Sequence, residues 1–270
     1  MKLKDQLNNK IELDYIPKKI ICLVPSITEL LVDLELKNNI VGITKFCVHP
    51  SDLKQNKKVV GGTKNINLNK INALEPDFII CNKEENTKDI VAQCKGITNT
   101  YVSNINSIKD TLELIEDFGE IFSCRTKAKS ISNEINRKHL DFLHFMKNKK
   151  SKKTAYFIWK NPWMVAGNNT FINHLLEVNK FENIFKSKSR YPEIDLKVFK
   201  HFDDLEYIFL SSEPYPFKEK DIAELKVFSK AAKIILVDGE CFSWYGSRLI
   251  KAFDYFKNLQ LDLVQSDFSI

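Results

Sequence analysis

Carboxylates follow two apolar segments of the sequence, and this placement is the first feature that could support chemistry. The segment "YIFLSSEPYP" carries Glu213 just after its apolar run, and "DFIICNKEEN" carries Lys83, Glu84 and Glu85 in the same relative place. Two carboxylates that face one groove could act as acid and base, or could bind charged parts of a ligand. The sequence therefore predicts that Glu84 and Glu213 follow equivalent strands whose ends face a groove.

A loop in the second half of the chain combines aromatic rings with polar groups. The stretch "IWKNPWMVAG" has Trp159 and Trp163 on either side of Asn161 and a proline, so the rings sit on a stiff backbone. Such rings offer a large contact area and lose little conformational entropy when a ligand binds. We expect this loop to contact a ligand; the alternative is that both tryptophans belong to the core.

A second loop, "VDGECFSWYGSR", also follows an apolar run and is denser in functional side chains. Its candidate ligand-binding residues are Asp238, Glu240, Trp244, Tyr245 and Arg248. The loop leads into an amphipathic segment, so its position is that of a strand end before a helix. For Arg248 the alternative is an ion pair with a structural carboxylate.

His49, in the stretch "KFCVHP", is the candidate for metal chemistry. Its imidazole and the glutamates could ligate a divalent metal ion, although no HExxH or CxxC spacing is present. An enzyme hypothesis assigns acid and base roles to Glu84, Glu213 and Glu240, with His49 or a bound metal assisting. The sequence contains no GxGxxG, GxxxxGK[ST] or GxSxG motif and names no reaction. We therefore expect binding rather than catalysis.

The charge and hydropathy of the chain limit its classes of partner. Its 41 Lys+Arg and 35 Asp+Glu give a net charge of +6 over 270 residues, without a basic stripe, so we expect no nucleic-acid binding. No run of about 18 apolar residues occurs, so we predict no membrane span. The first residues lack the apolar core of a secretory signal, and the six cysteines form no CxxC pair. These features predict a cytoplasmic protein, or a periplasmic or lipid-anchored one if the true start lies upstream.

Short β-branched segments alternate with amphipathic segments along the chain. "KIICLV" runs straight into "SITE", a capping-box pattern in which Ser26 caps a helix and Glu29 reaches back. Apolar residues recur at helical spacing from 125 to 149, which predicts one long helix. The alternation predicts an α/β protein with two lobes, each with a parallel sheet covered by helices, joined by the long rigid helix. The predicted boundaries are 1–124 for the N-terminal lobe, 125–150 for the connecting helix and 151–270 for the C-terminal lobe.

The order of these motifs resembles the helical-backbone substrate-binding protein family, in particular the cobalamin-binding proteins of ABC importers. The resemblance rests on "IICLVPSITELLVDLEL", "VGITKFCVHP", "NPWMVAG" and "VDGECFSWYGSR", and it extends from about residue 18 to 258. It implies a small-molecule ligand, a corrinoid such as cobalamin or another metal chelate, held in a cleft between the two lobes. It also implies an ABC permease as a partner, and no cofactor that the protein itself requires.

The resemblance further implies aromatic contacts to the ligand. They fall on Phe46 in the stretch "TKFCVHP", on Tyr191 in "SRYPE" and on Trp163 in "NPWMVAG". After "DFIIC", where the family has a tryptophan, this chain has Asn82 followed by three charged residues. We therefore expect a cleft that is more polar than one built only to sandwich a corrinoid ring.

Overall fold

The computed structural model describes residues 1–229 and 231–267. Its backbone contacts divide the chain into two compact units. The first unit comprises Met1–Ile105, Lys109–Ile135 and Tyr245–Arg248, and the second comprises Asn106–Ile108, Asn136–Trp244 and the chain from Leu249 onward. The short segment Tyr245–Arg248 therefore belongs to the first unit, although its neighbours in sequence belong to the second.

The first unit contains a parallel sheet preceded by a small hairpin. Its strands are β1 (Lys2–Lys4), β2 (Lys10–Glu12), β3 (Ile20–Cys22), β4 (Ile40–Ile43), β5 (Lys58–Val59), β6 (Phe78–Asn82) and β7 (Thr100–Ser103). Strands β1 and β2 pair antiparallel, and the others form a parallel sheet in the order β5-β4-β3-β6-β7. The central strands β3 and β6 are buried along their whole length, as expected for near-continuous apolar runs between two layers of helices.

Helices cover both faces of this sheet. They are α1 (Pro25–Asp33), α2 (Leu53–Asn56), α3 (Leu68–Asn72), α4 (Lys88–Lys95) and α5 (Ile108–Ile121). On one face Ile21 and Ile79 pack with Ile90 of α4. On the other, Phe118 of α5 meets Tyr101 of β7 edge to face at 5.4 Å between ring centroids. Each face of the sheet therefore has its own apolar core.

The predicted capping box at the start of α1 is wrong. The helix begins at Pro25, whose fixed φ suits the first helical position, and no side chain caps it. The N-cap is Val24, so Ser26 lies inside the first turn, and Glu29 is buried. The Glu29 carboxylate instead accepts a hydrogen bond from Arg248, as described below.

The long helix predicted near residue 125 is confirmed as α6 (Arg125–Met146). Its first part, to Ile135, belongs to the first unit, and the part from Asn136 belongs to the second. Its buried stripe consists of apolar residues at helical spacing, namely Ala128, Ile131, Ile135, Phe142 and Met146. One continuous helix thus contributes core residues to each unit.

The second unit has a parallel sheet with one antiparallel addition. Its strands are β8 (Lys152–Trp159), β9 (Met164–Val165), β10 (Phe181–Asn183), β11 (Tyr207–Ser211) and β12 (Lys233–Val237). The parallel order is β10-β8-β11-β12, and β9 folds back antiparallel on β8. The helices are α7 (Phe171–Val178), α8 (Glu219–Lys226), α9 (Gly239–Ser243) and α10 (Leu249–Asp267), with a 3-10 helix at Leu196–His201. The parallel sheet confirms the prediction, whereas the sequence did not predict the β8-β9 hairpin.

Gly167, just after the hairpin, marks a close backbone approach. A Cβ atom at this position would lie 2.3 Å from the carbonyl oxygen of Lys188, so no larger residue fits.

Among the residues that the structure describes, no helix has both the length and the apolar character needed to cross a bilayer. In the part of the chain that the structure describes, none of the six cysteines forms a disulfide bond; five are buried and Cys124 is half-buried.

Candidate functional site

In the first unit, three loops leave the carboxyl ends of β4, β5 and β6 and are joined to each other by hydrogen bonds. The N–H of Lys45 donates to the carbonyl of Gly61 at 2.8 Å, and the Asn86 amide donates to the carbonyl of Thr63 at 2.9 Å. The ring of Phe46 projects from the first of these loops with 48% of its surface exposed. Carboxyl ends of parallel strands are where open α/β sheets bind ligands, so we call Phe46 and its surroundings in these three loops the Phe46 surface.

The polar residues after β6 shape this surface. The side-chain oxygen of Asn82 accepts the N–H groups of Glu84 at 2.7 Å and Glu85 at 3.1 Å, and its amide donates to Ser103 at 2.9 Å. Asn82 therefore fixes the turn instead of facing solvent. Lys83 is exposed, whereas Glu84 and Glu85 are half-buried, as is His49 in the first loop.

Two further predicted site residues, Tyr245 and Arg248, are buried within the first unit. The guanidinium of Arg248 donates from Nε to the Glu29 carboxylate at 2.8 Å, with both side chains less than 10% exposed. The Tyr245 hydroxyl lies beside Ser26 and Ser103, and burial raises the pKa of its phenol. The alternative interpretation of Arg248, an ion pair with a structural carboxylate, describes this geometry.

In the second unit, aromatic rings form a row after β8 and β11. Trp159 ends β8 with 39% of its surface exposed and meets Tyr215 edge to face at 5.7 Å between centroids. Tyr215 packs on Phe217 at 4.7 Å, and Phe217 stacks on Trp163 at 5.9 Å. Trp163 thus packs against the core, whereas the ring of Trp159 is partly exposed to solvent.

Glu213 follows β11 and is held in place by two donors from α9 and its C-terminus. Its carboxylate accepts the hydroxyl of Ser243 at 2.6 Å and the indole N–H of Trp244 at 2.8 Å. Trp244 is buried, so its indole N–H donates to Glu213 inside the protein and is not exposed to solvent. A glycine is needed at position 239 for the backbone of α9 to approach Glu213 this closely, because a Cβ there would lie 2.8 Å from the backbone nitrogen of Glu213.

The remaining predicted residues of the second unit lie at the start of α9, in the turn between β8 and β9, and near the bridge between Met164 and Glu193. Asp238 caps α9 by accepting the N–H of Cys241 at 3.2 Å, and Glu240 occupies the first turn of that helix. Asn161 is exposed in the turn between β8 and β9. Tyr191 is half-buried near the bridge that joins Met164 to Glu193.

Burial, with the nearby charges of Glu240 and Asp238, raises the pKa of the Glu213 carboxyl above its ordinary value near 4.5, against the opposing hydrogen bonds of Ser243 and Trp244. The folded state therefore holds this proton more tightly than the unfolded state. Its contribution to stability is fully present below about pH 4.5 and is lost as the pH rises through the raised value.

We expect Glu213→Gln to remove this pH dependence, because glutamine keeps an oxygen that can accept from Ser243 and Trp244 but carries no charge. The melting temperature of wild type minus that of the variant should fall between pH 4.5 and 7. Thermal unfolding of both proteins at several pH values measures it. Glu193→Gln is the control, because Glu193 is an exposed glutamate of the same unit that accepts neither of these bonds. A difference that stays constant with pH would contradict the prediction.

Within residues 1–229 and 231–267, no group of three or more His, Cys, Asp or Glu side chains is arranged to hold a metal ion. The predicted residues of the first unit lie after β4 and β6, namely Phe46, His49, Lys83, Glu84 and Glu85. In the second unit Trp159 ends β8, and Asn161 and Trp163 lie in the turn that follows. The sequence did not predict that Glu29 pairs with Arg248 or that Ser243 donates to Glu213, because these partners are distant in sequence. It also missed Lys45, which carries its charge beside Phe46.

A family model described as "Periplasmic binding protein" matches residues 20–232. This match spans most of the chain and every strand of the two parallel sheets except β12, and the chain therefore belongs to the periplasmic binding protein family. The resemblance to substrate-binding proteins that the sequence motifs indicated is confirmed.

Individual relatives agree with this assignment. An uncharacterized ABC transporter substrate-binding lipoprotein, YvrC of Bacillus subtilis, is 29% identical over 67% of this chain and 60% of its own length. A cobalamin-binding protein of Halobacterium salinarum is 24% identical over 72% of this chain and 54% of its own. The chain thus aligns with less than two thirds of these relatives' lengths. A periplasmic heme-binding protein of Pseudomonas aeruginosa shares the fold, with a TM-score of 0.76 and 18% identity over 90% of this chain and 92% of that one.

Proposed function

We propose that this protein is the substrate-binding component of an ABC-type importer and that it binds a small metal chelate, for which a corrinoid such as cobalamin is the leading candidate. The observation that carries the proposal is the exposed aromatic ring at strand ends of each unit, Phe46 in the first and Trp159 in the second. Large planar ligands bind well to such rings, because the rings bury much area at little entropic cost. The family membership and the names of the relatives support the same function.

The import role also bears on partners and location. An ABC permease is the proposed protein partner, as the name of the Bacillus subtilis relative suggests. The predicted cytoplasmic location gains no support from the relatives, one of which is named a lipoprotein. We propose instead that the protein works on the outer side of the cytoplasmic membrane, where an importer receives its substrate.

An equilibrium titration with cobalamin, and separately with haemin, tests the proposal. The three tryptophans, Trp159, Trp163 and Trp244, all lie in the second unit, so quenching of their fluorescence reports contact with that unit. Equilibrium dialysis of the same solutions counts bound ligand independently of any fluorophore. We expect one of the two chelates to bind saturably at about 1 μM or tighter, with a stoichiometry of one.

The two readouts separate the outcomes. Saturable binding with tryptophan quenching would support both the function and the role of the second unit. Failure of both chelates to bind in dialysis would overturn the proposed ligand class, while the membership of the family would stand. The other predicted ligand contacts stay predictions; they are His49, Lys83, Glu84, Glu85, Asn161, Trp163, Tyr191, Asp238 and Glu240.

A further inference from the structure

The Phe46 surface carries exposed lysines from each of its three loops. Lys45, Lys64 and Lys83 come from the loops after β4, β5 and β6 respectively, and all three side chains are exposed. The ammonium group of Lys45 lies 5.0 Å from the centroid of the Phe46 ring. The ammonium of Lys64 donates to the carbonyl of Glu84 at 2.6 Å, across the gap between the second and third loops. An apolar ring and several positive charges thus share one solvent-facing surface.

The nearby carboxylates do not neutralise these lysines. Across residues 1–229 and 231–267, no carboxylate oxygen lies within salt-bridge distance of Lys45, Lys64 or Lys83. Glu84 and Glu85 are half-buried, and one carboxylate oxygen of Glu84 is excluded from solvent. The three lysine side chains are thus more exposed than the two carboxylates beside them, so this surface presents mainly positive charge to solvent.

We infer that the ligand carries at least one anionic group, a carboxylate or a phosphate, which Lys45 and Lys64 bind while the apolar part of the ligand packs on Phe46. This inference rests on the proposed function and specifies the chemistry of its ligand. An ammonium group is a strong donor to both kinds of anion, and each lysine here has donor capacity left after the contacts described. The flanking ring supplies the apolar contact that charged groups alone lack.

Matched ligand pairs test the inference and distinguish the two anions. Haemin and its dimethyl ester share one ring system but differ in their carboxylates, whereas cobalamin and cobinamide differ in the phosphate-linked nucleotide. We expect the anionic member of at least one pair to bind more tightly. The Lys45→Gln/Lys64→Gln variant should weaken that member about three- to tenfold and leave unchanged the counterpart that lacks the carboxylates or the phosphate. Raising the ionic strength should weaken the same member in wild type.

Lys70→Gln is the control, since Lys70 is an exposed lysine of α3 outside the three loops. Equal losses for anionic and neutral ligands, or no loss in the double lysine variant, would overturn the inference. If in that case Phe46→Ala still weakens binding, the proposed function stands and only the anionic ligand class falls. If wild type binds none of the four compounds, the inference and the proposed ligand class fall together.

Discussion

Arg248→Met is expected to lower the free energy of unfolding by about 3 to 5 kcal/mol, which is the usual cost of removing one partner of a buried ion pair. The substitution leaves the Glu29 carboxylate in the interior of the first unit without the guanidinium that donates to it at 2.8 Å. The loss should be large because both side chains are almost fully excluded from water. Urea unfolding at pH 7 measures it.

Two control variants isolate the cause. Glu29→Met/Arg248→Met removes both charges and should cost clearly less than the single change, since no buried charge remains. Arg125→Met breaks an ion pair with Glu120 whose two side chains are far more exposed, and it should have a much smaller effect. A loss for Arg248→Met no larger than that for Arg125→Met would contradict the account of this pair.

Phe46→Ala and Trp159→Ala are each expected to weaken binding of the proposed chelate by about 1 to 3 kcal/mol. Both rings are substantially exposed in the structure, so their removal should cost the fold little. Dialysis of each variant with whichever chelate wild type binds gives the dissociation constants, and thermal unfolding of the free proteins shows that stability is retained.

Tyr15→Ala is the matched control for both variants. Tyr15 is 43% exposed, close to Phe46 in exposure, but its hydroxyl donates to the carbonyl of Asp77, at the amino end of β6. It therefore lies at the opposite end of the same sheet from the Phe46 surface. Unchanged affinity in both Phe46→Ala and Trp159→Ala would remove these rings from the site, and a loss in Tyr15→Ala alone would move the site to the other end of the sheet.

The architecture was predictable because local patterns determine most of it. Apolar runs became the buried strands β3 and β6, and the helical spacing after residue 125 became α6. The capping box failed because its pattern is local, whereas the partner that Glu29 finds is 219 residues away in sequence. No spacing rule connects residues so far apart, so the buried ion pair could only emerge from the fold.

The sequence predicted where the candidate residues lie relative to the strands, but it did not predict what surrounds their side chains. Phe46 lies in the loop after β4 and Trp159 at the last residue of β8, positions that follow from short-range strand patterns. The sequence could not show that Trp244 would turn inward to donate to Glu213, because that depends on how α9 packs against the loop after β11. For the same reason it could not distinguish the exposed Trp159 from Trp163, which stacks on Phe217.

The most direct test of the central claim is amide hydrogen exchange with and without saturating cobalamin or haemin. If the protein binds a chelate at its strand ends, exchange should slow in residues 44–49, 61–65 and 82–86 of the first unit and in 159–163 and 211–215 of the second. The β1-β2 hairpin should be unaffected. Exchange that is unchanged in all of these loops with both ligands, or slowed only near the hairpin, would contradict the claim that this protein binds a metal chelate there.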